Sequence, residues 1–326
     1  MRRREFILVI GGAAAWPMTA ARAQTASVKR IGVIYQGGPF ETSIEGLREG
    51  LRAAGLEEGR HVALLIRNTK GDAAAAEAAA RALERDDKVD LIVALSTSMA
   101  LPAKRATAKV PIVFAAGADP VAFGLVDSIA APGGRLTGFH FRVSDLTAKR
   151  LEILREIVPH LRHIVTFYDP RNQTSVSALA AAQDAAQNLG IEVVAQQVTS
   201  PEEMRERLHS LATTNAQAFF FITGAPIATS RAALIIEAAN NLRLPTMMQD
   251  LGQVRAGALA AYGPDYREYG RRPASYVARV LAGTLPRDLP VEAVDRPALA
   301  INLKTAKAIG LDIPPLLLTR ADEVIE

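Results

Sequence analysis

Short runs of branched apolar residues alternate with longer stretches whose apolar residues recur at helical spacing. In the first half the runs at 30–35 (RIGVIY), 61–67, 90–95 (DLIVAL), 111–115 (PIVFA) and 135–140 read as strands. Between them, 41–55 places Ile44, Leu47, Leu51 and Ala54 on one helical face, and the alanine-rich stretch 73–83 follows Asp72, a good helix cap. The apolar runs are continuous rather than alternating, as in parallel strands covered on both faces. The pattern then restarts. Strands are predicted at 162–168, 191–197, 216–222, 244–248, 257–262 and 298–303. Helices are predicted at 145–158, 175–189, 228–241, 266–282 and 305–309. Another begins at Ser200-Pro201-Glu202-Glu203, where serine caps, proline takes the first turn and Glu203 completes a capping box. Two successive βαβαβ series predict an α/β protein of two doubly wound, Rossmann-like lobes with a ligand cleft between them.

In open α/β sheets a ligand sits beyond the carboxyl ends of the strands. The residues there are Tyr35 and Gln36 after the first strand, Ser96 and Thr97 after the third, and Ala116, Gly117 and Asp119 after the fourth. Phe141 follows the fifth; Tyr168 and Asn172, then Thr223 and Gly224, then Asp250 close strands of the second series. The set suits a zwitterion. A helix opening at Ser96 offers free N–H groups and hydroxyls to a carboxylate, while Asp119 or Asp250 can hold an ammonium group. Tyr35 and Phe141 can cover an apolar or aromatic part. Each of these residues also makes an ordinary cap or turn former; their joint position is the argument.

Charge and composition narrow the classes. The net charge is +4, but Arg2, Arg3, Arg4 and Arg22 stand against Glu5 within 1–23, leaving the remainder at +1. A nearly neutral body gives no electrostatic reason to expect nucleic acid. The chain has no cysteine, which excludes disulfides, thiolate metal sites and a lipidated amino terminus. Residues 1–23 read as an export signal: a basic start, an apolar stretch from Phe6 to Ala15, and Ala21-Arg22-Ala23 before a cleavage point at Gln24. Arg3-Arg4-Glu5-Phe6-Ile7 is similar to a twin-arginine pattern, and the location implied is the periplasm. Trp16, the single tryptophan, lies in this leader. The chain lacks the Gly-x-Gly-x-x-Gly turn, the Walker loop, the Gly-x-Ser-x-Gly elbow and the His-Glu-x-x-His pair, and His160 and His163 straddle a helix-to-strand junction. No enzyme, cofactor or metal is expected.

Several segments resemble the ABC-transporter substrate-binding family of the periplasmic binding protein type I fold, in the branch associated with tryptophan- or tyrosine-like ligands. They are Asp119-Pro120-Val121 with Gly124-Leu125-Val126, Pro132-Gly133-Gly134 with Leu136-Thr137-Gly138, Tyr262-Gly263-Pro264-Asp265-Tyr266, and Ile301-Asn302-Leu303-Lys304-Thr305-Ala306. The resemblance implies two lobes joined by three crossings, with 27–140 and 256–290 in the first and 141–255 and 291–326 in the second. It implies a monomeric periplasmic receptor that closes on a small ligand, an amino acid or similar carboxylate, and delivers it to an ABC permease in the inner membrane. A receptor feeding a sensor or chemoreceptor is the alternative.

Overall fold

A computed structural model of the chain describes residues 28–294 and 296–326. The export leader predicted at 1–23, with Trp16, lies outside the described residues.

The first sheet is built from β1 (Lys29–Tyr35), β2 (Val62–Asn68), β3 (Leu91–Leu95), β4 (Ile112–Ala116) and β5 (Leu136–His140). The second contains β6 (His163–Tyr168), β7 (Glu192–Gln197), β8 (Ala218–Phe220), β9 (Thr246–Met248) and β10 (Ala260–Gly263). Two-residue β11 (Glu292–Ala293) returns to the first sheet, and β12 (Ala298–Asn302) and β13 (Glu323–Ile325) complete the second. The spatial orders are β11-β5-β4-β3-β1-β2 and β13-β12-β10-β9-β8-β6-β7. Every pairing is parallel except β10 with β12.

Both faces of each sheet are covered, which is why the strands are apolar throughout. Ile31, Val33 and Tyr35 of β1 pack with Leu47 and Leu51 of the helix Glu41–Ala53 and with Tyr269 and Val277. Ile34 packs on the opposite face with Ala76, Ala80 and Leu83 of the helix Ala73–Arg85 and with Met99 of the helix Thr97–Ala106. The second sheet is sandwiched the same way between two apolar clusters. Asp72 caps its helix as predicted, accepting from Ala75 N at 2.8 Å. Ser200 caps the helix Pro201–Ser210, but Glu203 reaches past it to accept from the N–H and hydroxyl of Thr199, each at 2.7 Å. The capping box is therefore displaced by one residue.

The predicted lobe boundaries need two corrections. Residues 256–263, expected in the first lobe, contribute β10 to the second sheet between β9 and β12. Residues 291–294, expected in the second, contribute β11 to the first sheet beside β5. The chain thus crosses between lobes after β5, β10 and β11. An isolated apolar run such as Gly257–Tyr262 suits either sheet, and only pairing partners settle which. The helices Tyr266–Arg271 and Pro273–Leu281 do belong to the first lobe. They pack on Glu41–Ala53 so closely that a Cβ on Gly46 would stand 1.9 Å from the Arg267 carbonyl oxygen.

Candidate functional site

The carboxyl ends of both sheets face one narrow void between the lobes, about 20 Å³, room for a water as it stands. From the first lobe come Gln36 after β1, Ser96, Thr97 and Ser98 after β3, Gly117 after β4 and Val143 after β5. From the second come Thr174 after β6, Thr223 and Gly224 after β8, and Gln249 after β9. Phe40, Thr229, Tyr266 and Tyr269 complete the wall.

The lining is chemically mixed. Phe40, Tyr266 and Tyr269 form an aromatic cluster, with centroids 4.5 Å apart for Phe40–Tyr266 and 5.2 Å for Tyr266–Tyr269. Phe141 stacks behind Tyr269 at 4.1 Å. Hydroxyls and amides make up much of the rest of the lining. Ser96 Oγ donates to Gln36 Oε1 at 3.2 Å and accepts from Met99 N at 3.3 Å, capping the helix Thr97–Ala106. Ser96 has φ of 113°, a conformation that side chains rarely adopt and that is commonest where a site holds its backbone under strain. Gln249 Nε2 donates to Tyr266 Oη at 3.3 Å, while Gln249 Oε1 and Thr174 Oγ1 are buried with no hydrogen-bond partner among the described residues. Unpartnered buried polar atoms facing a void are what a polar ligand would satisfy.

The lobes touch directly around the void. Asn172 Nδ2 donates across the gap to Ser98 Oγ at 3.1 Å. Ser230 Oγ and Arg231 Nη1 donate to the Lys70 carbonyl at 3.0 and 3.3 Å. Gly71 lies against Pro226, and Gly38 against Thr229.

Of the residues expected at the strand ends, Gln36, Ser96, Thr97, Gly117, Thr223 and Gly224 line the void. The others lie elsewhere. Tyr35 points its hydroxyl at Glu41, and burial with that hydrogen bond pushes the phenol up to about 12. Ala116 is enclosed in β4, its carbonyl accepting from Phe141 N. Asp119 is exposed and caps a turn through Val121 N and Ala122 N. Phe141 is one layer back, behind Tyr269. Tyr168 packs at the margin of the second lobe's core. Asn172 caps the helix Gln173–Asn188 and makes the cross-lobe bond instead of lining the void. Asp250 borders a separate, more apolar pocket with Pro39, Ala232 and Ile236. There it is 1% exposed, accepts from Tyr266 N at 3.3 Å, and is pushed up to about 7 by burial. The residues missed were chiefly Tyr266 and Tyr269. Their signal was present: two tyrosines three apart opening a helix directly after a strand end.

Residues 27–325 match the family model of the ABC transporter substrate binding protein. The chain belongs to that family. This substrate-binding protein is 28% identical over 287 residues to the "Tyrosine-binding protein" of Clostridioides difficile strain R20291, a match covering 87% of this chain and 81% of the relative. A Streptococcus pneumoniae ABC domain solved in complex with L-Trp has the same fold, with a TM-score of 0.82 at 24% identity, covering 92% of this chain and all of the other. The ligand-free, open structure of a substrate binding protein with adhesive properties from Clostridium difficile matches with a TM-score of 0.61 at 27% identity, over 91% of this chain and 99% of the other. These relatives are binding proteins rather than enzymes. No described helix of this substrate-binding protein is long and apolar enough to cross a membrane.

Proposed function

We propose that this protein is the periplasmic receptor of an ABC importer and that it takes an aromatic amino acid into the void between its lobes. The observation carrying the reading is the wall itself: three aromatic rings together with hydroxyls and amides, two of whose buried polar atoms lack partners among the described residues. Such a wall suits a ligand with a flat apolar end and a charged, hydrogen-bonding end. The L-Trp complex and the tyrosine-binding relative support the same ligand class. The higher TM-score against the L-Trp complex than against the ligand-free open structure supports a closed arrangement. Closure follows because a ligand touching both lobes binds the closed state better than the open one and so shifts the equilibrium toward it.

The leader at 1–23 would carry the chain across the inner membrane by the twin-arginine route, and the mature protein would serve its permease as a monomer. The test is to express the full chain, recover the protein from the periplasmic fraction, sequence its amino terminus and titrate it with L-Trp and L-Tyr. Cleavage removes Trp16, so emission from bound L-Trp is read without background from the protein. An amino terminus at Gln24 and saturable binding are expected. Stabilisation by sugars alone would refute the ligand class, since a ligand that binds only the folded state raises its melting temperature.

A further inference from the structure

One fully buried cation of the second lobe has no counter-ion among the described residues. Arg150 lies on the helix Thr147–Ile157, on the buried face with Thr147, Leu151 and Leu154. It is 0% exposed. Its Nη1 donates to the Phe221 carbonyl at 2.6 Å, and its guanidinium carbon lies 5.0 Å from the centre of the Phe220 ring. Its Nε and Nη2 are buried without a hydrogen-bond partner, and no described carboxylate forms an ion pair with it. Complete burial lowers its pKa to about 10, with only the Tyr266 phenol acting against that shift.

A fully buried guanidinium with two idle donors is costly, and a bound anion would satisfy both donors and offset the charge. Phe221 is two residues before Thr223, and Thr223, Gln249 and Tyr266 all line the void. Arg150 does not itself line the void; it lies one layer behind, bonded to the Phe221 carbonyl and in electrostatic reach of the Tyr266 phenol, which does. Gln249 Oε1, also unpartnered, lies at the same end.

We propose that Arg150 is the anion anchor of the ligand site: a carboxylate entering between Tyr266, Gln249 and the turn at Thr223-Gly224 is held by its free Nε and Nη2. The inference rests on the reading of the void as a ligand site, and it commits the ligand to an acid rather than a neutral or purely cationic aromatic. A planar guanidinium presents Nε and Nη2 side by side, the geometry that accepts a carboxylate through two parallel hydrogen bonds.

The test uses the exported, processed protein with Arg150→Met and Arg150→Gln, one apolar and one polar neutral replacement. Calorimetric titration is run with L-Tyr and L-Trp and with tyramine and tryptamine, which lack the carboxylate. Wild type is expected to bind the acids at least about 100-fold better than the amines, and both variants are expected to lose about 100-fold for the acids and little for the amines. The melting temperature without ligand is the second reading, independent of ligand identity. Removing an unpaired buried charge should leave it equal or higher in at least one variant. Acid binding unchanged within threefold in both variants overturns the proposal, as does a fall in melting temperature in both, which would make Arg150 a structural tie. If wild type binds none of the four compounds, the aromatic amino-acid reading falls, while the melting temperatures still decide whether Arg150 stands without a counter-charge.

Discussion

Replacing Gly71 by alanine would put a methyl group into the seam between the lobes. Gly71 follows β2 in the first lobe with φ of +82°, and a Cβ there would stand 2.3 Å from the Pro226 carbonyl oxygen and 2.7 Å from Ile227 N. Carbon and oxygen separate to about 3.5 Å in ordinary contact, so the lobes must part by on the order of 1 Å at this point. The adjacent cross-lobe bonds from Ser230 and Arg231 to the Lys70 carbonyl, at 3.0 and 3.3 Å, do not survive that shift. At about 0.5–1.5 kcal/mol each, their loss costs the closed state about 1–3 kcal/mol. A ligand that needs the closed state then binds roughly 5- to 150-fold more weakly. Alanine in this backbone conformation also costs about 1 kcal/mol, but in open and closed states alike, so it lowers melting temperature rather than affinity. Gly55→Ala separates the two effects, because Gly55 has φ of +79° and nothing within 4 Å of its Cβ position. Titration calorimetry on both variants, with small-angle scattering of the ligand-bound form, is the assay. Gly71→Ala should bind weakly and stay expanded; Gly55→Ala should bind normally. Equal affinities in the two variants would refute the reasoning.

Three further outcomes follow from the same contacts. Asn172→Ala removes both the cross-lobe bond to Ser98 and the cap on Thr174 N and Ser175 N, so urea denaturation should show a loss of about 1 kcal/mol together with weaker ligand binding. Ser98→Ala removes only the cross-lobe bond and should weaken binding with little change in stability. Asp250 is held up at about 7, above its unfolded value, so folding favours its protonated form. Its contribution is present below pH 4 and is lost as pH rises toward 7, amounting to about 4 kcal/mol at most. Asp250→Asn abolishes that slope, so the difference in stability between variant and wild type should grow in the variant's favour from pH 4 to pH 8; a constant difference would count against a buried neutral carboxyl.

The periodicities carried the two-lobe architecture because each strand is covered on both faces, leaving continuous runs that no surface strand has. Burial of Leu91–Leu95 on both sides is visible in five apolar letters. The partner of a strand is not so written. β10 joins the second sheet through register with Met247, Met248 and the antiparallel β12, contacts between segments far apart in the chain. β11 has only two residues, both exposed, and carries no periodicity at all. At the site, strand-end logic found the small polar residues, since topology places them. It missed Tyr266 and Tyr269, which arrive on a helix after the chain has crossed back. Arg150 was legible in retrospect. With Thr147, Leu151 and Leu154 it keeps a helical spacing of three, four and seven, which puts a guanidinium on an apolar stripe. A cation in such a position asks for a partner, and its helical neighbours Leu146, Thr147, Ile153 and Leu154 include no carboxylate.

Because the polypeptide passes three times from one lobe to the other, neither half is a contiguous stretch of sequence. The first sheet lacks the helices that seal its face until synthesis has passed Leu281 and its outer strand until it has passed Ala293, by which point five of the seven strands of the second sheet have been made. The halves must therefore mature together after synthesis rather than one after the other. A single proteolytic nick at any one junction leaves the pieces tethered by the remaining two.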